Sequence, residues 1–123
     1  MLFRSGKAGT NSISAANSGC VLKEEWRNIQ GFSGSSLNYY NVVSGKWVQN
    51  WVDSQTVIDI SGGLEGDSMV MTGTIYYHGT KREAAFRGTW TPLGDGRVRQ
   101  FFEEKDAEGN WQTWFEGFYS RVD

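Results

Sequence analysis

Apolar and polar residues alternate along most of this chain with the period of two that marks extended strands. The clearest instance is Gly45-Lys-Trp-Val-Gln-Asn-Trp-Val-Asp53. There Trp47, Gln49, Trp51 and Asp53 share one face, while Val48 and Val52, with Asn50 between them, take the other. Weaker or shorter runs of the same kind cover Thr10–Ala16, Cys20–Asn28, Ser35–Asn41 and Thr56–Ser61. Met69–Tyr77, Glu83–Thr91, Arg97–Lys105 and Trp111–Arg121 complete the series. Between them lie turn-rich connections: Val43-Ser-Gly-Lys46, Gly62-Gly-Leu-Glu-Gly-Asp67, His78-Gly-Thr-Lys81, Pro92–Gly96 and Asp106–Asn110. Leu22–Ile29 also fits a helical stripe, but it is short and uncapped. The pattern predicts an all-β protein, an antiparallel up-and-down meander of about eight or nine strands curling into a barrel or a tightly bent sheet. Trp111 and Trp114 point to opposite faces of their strand unless a bulge intervenes.

Composition narrows the picture. A chain of 123 residues supports one core, and therefore one domain. Residues 1–9 read as a polar, Gly-rich N-terminal tail and 10–123 as a single β-barrel domain. With 12 basic and 14 acidic side chains the net charge is −2, and no run of Lys or Arg forms a phosphate-binding stripe. No nucleic-acid partner is expected. No apolar run approaches the length of a membrane span, so no membrane partner is expected either. The six Trp, five Tyr and seven Phe supply the material of a core. Cys20 is the single cysteine, so no intrachain disulfide is possible. That fits a reducing compartment and a cytoplasmic location, with Cys20 as a small buried thiol.

Several segments together resemble an uncharacterised family of small bacterial lipocalin-like (calycin) proteins. They are Gly19-Cys-Val-Leu-Lys-Glu-Glu-Trp26, Gly34-Ser-Ser-Leu-Asn-Tyr-Tyr40, Gly45–Asp53 and Met69–Gly73, continued by Arg87-Gly-Thr-Trp-Thr-Pro92, Asp95–Gln100, Trp114 and Gly117-Phe-Tyr119. The match runs in order over roughly residues 9–121. The resemblance implies a closed antiparallel lipocalin-like barrel with an interior pocket, and carries no activity with it. Related chains begin with an additional aromatic-rich strand upstream of the equivalent of Gly9-Thr-Asn11, which this chain starts too late to contain. A missing stave leaves unpaired edges at residues 10–16 and at the C-terminal strand. Two outcomes follow as expectations: a homo-oligomer built through the open edges, or insertion of the N-terminal tail into the gap.

A barrel of about eight strands holds either packed side chains or one small ligand. Polar residues interleaved with tryptophan are the candidates for a lining, because a buried face carrying them must pair them or hold water or ligand. The candidate ligand-binding residues are Trp26, Asn38, Tyr40, Gln49, Trp51, Trp90, Arg99, Gln100 and Glu103, with Glu24, Asp53 and Arg87 as further polar candidates. Met69 and Met71 would give an adaptable wall. Arg99 has two readings: a surface pair with a cross-strand carboxylate, or an interior group that fixes an anionic or carbonyl ligand. Trp47 and Trp51 likewise have two, an inner lining or an outer interface.

Catalytic signals are sparse. His78 is the only histidine and stands beside Gly79 in a turn. No nucleophile elbow accompanies it, no second His or Cys offers a metal site, and no cofactor motif is present. Asp53 with Glu103 would serve acid–base chemistry only if the fold brought them together. The expectation is a non-enzymatic barrel for a small apolar or aromatic molecule. An oligomerisation or protein-interaction module comes second, and a carboxylate-dependent isomerase or hydrolase third.

Overall fold

The computed structural model describes the backbone of residues 2–5 and 9–122 and the side chains of residues 9–120. The alternating runs become antiparallel strands. They are β1 (Leu2–Ser5), β2 (Gly9–Ala16), β3 (Val21–Asn28), β4 (Ser33–Asn41), β5 (Lys46–Asp53), β6 (Thr56–Glu65), β7 (Ser68–Tyr77), β8 (Arg82–Pro92), β9 (Val98–Lys105) and β10 (Trp111–Val122). From β2 to β10 every strand pairs with its successor, so nine strands form a strongly curled meander. Short β1 pairs with β2 on one side and β10 on the other, which closes the ring. The backbone of residues 2–5 thus lies where insertion of the tail was expected, and it is the strand beyond the nine runs read from the sequence. Residues 1 and 6–8 of the expected tail, and residue 123, lie outside the described residues. Among the described residues no helix is long and apolar enough to cross a membrane.

Two readings of the sequence need correction. Gly62-Gly-Leu-Glu65 is not a connection but the second half of β6, leaving Gly66 and Asp67 as the turn. Gly62 pairs with Met71, and a Cβ there would stand 2.0 Å from the Val70 carbonyl oxygen. Glycine lets β6 coil tightly across β7, so its presence marks a bend within a strand rather than its end. Cys20, expected to be buried, is exposed. It closes the turn after β2, in which Asn17, Ser18 and Gly19 take φ of 52°, 60° and 84° and Gly19 N–H donates to the Ala16 carbonyl at 3.0 Å. The strand resumes at Val21, which takes the buried position next to the thiol.

The core lies against one wall. Ile58, Ile60, Met71, Ile75, Phe86 and Phe102 of β6–β9 form one buried cluster, and Ile58, Ile75 and Phe86 are 0 % exposed. Each such side chain contributes about 1.5–3 kcal/mol by leaving water. A bulge in β10 extends this surface: Thr113 faces Glu103 and Phe115 faces Phe102, with Trp114 as the extra residue. Trp114 consequently packs edge-on to Phe86 at 5.4 Å, and Phe115 to Trp26 at 6.1 Å. Trp111 stays outside, beneath Arg87 and Lys105.

Candidate functional site

Opposite the apolar wall, β2–β5 turn a polar face inward. Alternation brings Asn11, Glu24, Ser36, Asn38 and Gln49 to the lumen, and strand register sets them side by side: Glu24 opposite Ser36, Asn38 opposite Gln49. Asn11 Nδ2 donates to Glu24 Oε2 at 2.5 Å, and Ser36 Oγ donates to Oε1 at 2.6 Å. Gln49 Nε2 reaches the same Oε1 at 3.5 Å and donates to Asn38 Oδ1 at 2.8 Å. Asn38 Nδ2 donates to the Leu22 carbonyl at 3.2 Å and to Ser36 Oγ at 2.9 Å. Glu24 is only 8 % exposed, and among the described residues no cationic side chain pairs with it.

The network fixes its own amide orientations. A carbonyl oxygen can only accept, so the Asn38 amide nitrogen must face Leu22 and its oxygen must face Gln49. Gln49 therefore spends its nitrogen on Asn38, and its Oε1 is left buried with no partner. Asn11 spends its nitrogen on the Glu24 carboxylate and leaves Oδ1 in the same state. The Trp26 indole Nε1 is the third such atom; it approaches the Tyr119 hydroxyl without completing a hydrogen bond. Each unsatisfied buried group costs about 1–3 kcal/mol.

Two cavities flank this network. The first, of about 170 Å³, lies toward the β3–β4 loop and is walled by Trp26, Phe32, Trp51, Trp114 and Phe115. Glu24, Gln100 and Tyr119 supply its polar surface. The second, of about 270 Å³, lies toward the β4–β5 turn between Trp47, Trp90, Met69 and Met71, with Glu24, Asn38 and Gln49 on its polar side. It adjoins a mouth lined by Cys20, Tyr40 and Val42, with Leu22, Asn38 and Trp47 common to both. Glu24 borders both cavities and is the one charged side chain lining either among the described residues.

Trp51 is held in place from two sides. Its Nε1–H donates to Asp53 Oδ2 at 2.8 Å, and its ring lies so close over Gly34 that a Cβ there would meet Cζ2 at 2.1 Å. Asp53 also accepts from the Gln55 and Thr56 amides, each at 2.7 Å, and from Thr56 Oγ1 at 2.8 Å. Its carboxylate is committed to the β5–β6 turn. Burial, followed by the nearby Glu24 charge, pushes the Tyr119 hydroxyl well above the usual tyrosine range. Tyr77 donates to Glu104, receives the Trp114 indole N–H at 3.1 Å, and lies beneath Arg82. Burial, then the Glu104 hydrogen bond, raises the Tyr77 pKa.

Of the residues expected to line a pocket, Trp26, Trp51 and Gln100 border the first cavity. Asn38, Gln49 and Trp90 border the second, and Tyr40 stands at its mouth against Trp47. A single expected site is thus divided in two. Trp47 and Trp51 face inward, not outward. Arg99 and Glu103 are corrections: both face outward. Gln100 and Phe102 are buried on the inner side of β9, so the residues alternating with them cannot also be inside. Arg99 pairs with Glu116 at 2.7 Å, and Arg87 with Glu103 at 2.9 Å. Asp53 and Glu103 therefore do not meet, and His78 is an exposed turn residue. Asn11, Ser36, Phe32, Phe115 and Tyr119 were not anticipated. Asn11 and Ser36 belong to runs whose alternation is polar on both faces, and Phe115 enters the lumen only through the bulge.

Compared with protein-family models, curated proteins and solved structures, the chain matches none.

Proposed function

We propose that this barrel is a non-enzymatic binding protein for a small, partly aromatic or apolar molecule held in its lumen. One coincidence carries the reading: an aromatic-walled hollow shares its boundary with buried polar atoms that have no partner. A lumen meant only to be filled would gain from apolar side chains at those positions. Size restricts the occupant. Drug-sized ligands occupy about 300–1,000 Å³, whereas a cavity of about 150 Å³ takes benzene. Cavities of about 170 and 270 Å³ suit one- or two-ring compounds. The single exposed thiol of Cys20 accords with a cytoplasmic setting.

The test is tryptophan emission and thermal unfolding against a panel of one- and two-ring compounds, indole and naphthalene among them. Several members should quench or shift the emission and raise the melting temperature, since a ligand at a hundred times its Kd adds about 2.7 kcal/mol. A diverse panel without any response would leave the lumen a purely structural feature.

A further inference from the structure

The occupant of the second cavity can be specified further, on the premise that the barrel binds small molecules at all. Three observations converge there. Glu24 is nine-tenths buried, and both of its oxygens accept hydrogen bonds, from Asn11 and Ser36. No cationic side chain among the described residues offsets it. Gln49, 4 % exposed, lines the same cavity with an acceptor oxygen that the amide network forbids from turning away. The neighbouring walls are the indoles of Trp47 and Trp90, whose faces attract cations. A buried carboxylate, an acceptor without a donor and aromatic faces are each complementary to positive charge and N–H groups. None of them suits an anion.

We propose that this cavity takes a small organic ammonium carrying a compact apolar or aromatic body. Glu24 is its counter-ion, Gln49 Oε1 accepts one of its N–H groups, and Trp47 and Trp90 enclose it. The first cavity has the opposite deficit, an indole N–H at Trp26 in want of an acceptor, and so is not the ammonium site. The sign of the charge also reverses the role that an interior Arg99 would have implied. With Arg99 outside on Glu116, nothing among the described lining residues welcomes an anion.

The decisive experiment is a charge series of one shape, titrated into the full chain by tryptophan emission and calorimetry: 2-phenylethylamine, 2-phenylethanol and phenylacetate. The amine should bind at least about tenfold more tightly than the alcohol, the worth of one charge-assisted contact, and phenylacetate more weakly than either. In Glu24→Gln the amine should lose most of its advantage over the alcohol. Should that variant fail to fold, Gln49→Met serves: it removes the free acceptor and should weaken the amine by about threefold to tenfold more than the alcohol. If the alcohol or phenylacetate binds as tightly as the amine, the ammonium assignment is wrong while the binding barrel stands. If none of the three binds, the ammonium assignment also falls, and the panel of neutral ring compounds then decides whether the barrel binds anything.

Discussion

The two walls of this barrel solve the same geometric problem with different materials. β6–β9 fill most of their side of the lumen with Ile58, Ile60, Met71, Ile75, Phe86 and Phe102, with Gln100 of β9 as a polar exception. β2–β5 present Asn11, Glu24, Ser36, Asn38 and Gln49 and must satisfy them through one another. The first arrangement is what stability alone asks for. The second is costly, since a buried carboxylate without a cation forfeits several kcal/mol of hydration and recovers it only in part through hydrogen bonds. Closing a barrel does not require that expense. The contrast therefore separates the half of the molecule that holds the fold from the half that, on the proposed reading, serves a ligand.

The largest effect should come from the apolar wall. Phe86→Ala removes a ring that is 0 % exposed and makes edge contacts to Phe102 at 5.3 Å and Trp114 at 5.4 Å. A loss of about 3–5 kcal/mol in urea unfolding is expected. A loss below about 1 kcal/mol would mean that this cluster is not the fold's anchor.

The polar wall should behave in the opposite way. Replacing Asn11, Glu24 and Ser36 together by Leu, Leu and Ala removes the charge along with its two nearest donors, and leaves Gln49 its hydrogen bond to Asn38. Stability should hold or rise, by about 1–4 kcal/mol at most, while ligand-induced changes in emission disappear. Glu24→Ala alone should instead destabilise by about 1–3 kcal/mol, because it strands the Asn11 amide and the Ser36 hydroxyl. If the triple variant unfolds as readily as Phe86→Ala, the two walls are not distinct in kind.

Another variant separates the two cavities. In Gly34→Ala the new methyl would collide with the Trp51 ring, and Trp51 is held by Asp53 at 2.8 Å. A cost of about 1–3 kcal/mol and a changed indole environment in the first cavity are expected. Amine binding in the second cavity should be spared. Loss of amine binding in this variant would show that the cavities act as one.

How much of this was legible in the sequence depends on what each residue's signal rests on. The strand from Lys46 to Asp53 could be read almost to the residue, because tryptophans and polar groups alternate there without interruption. The inward direction of Trp47 and Trp51 was not legible, since alternation gives the sharing of a face but not its side. Arg99 and Glu103 were placed among lining candidates together with Gln100, which a strict period of two forbids; the register of β9 decided for Gln100. β1 escaped because four residues carry little periodicity, and its place depends on edges contributed by β2 and β10. The bulge at Trp114 leaves no mark in local composition, so Phe115 could not be assigned inward. The Asn11–Glu24–Ser36 cluster joins three strands, and only the register of β2 on β3 and of β3 on β4 brings its members together.

The smallest effect tests the border between the walls, where Tyr119 stands close to Glu24. Burial and the carboxylate charge both oppose ionisation of this hydroxyl, so its folded-state pKa lies above the unfolded value of about 10. Below pH of about 10 both states hold the proton, and the group gives no slope of stability with pH. Above that value the unfolded chain releases the proton while the folded barrel retains it, so stability falls as pH rises toward the folded pKa. Tyr77, whose pKa is also raised, adds to the same alkaline slope. Urea unfolding of wild type and Tyr119→Phe should therefore run parallel in their pH dependence up to about pH 10 and diverge above it, the variant losing less. Parallel curves through the alkaline range would mean that the hydroxyl is hydrated in the folded barrel. The lumen beside Glu24 would then be open to water rather than enclosed, and the distinction between a sealed polar wall and an ordinary wet one would lose its basis.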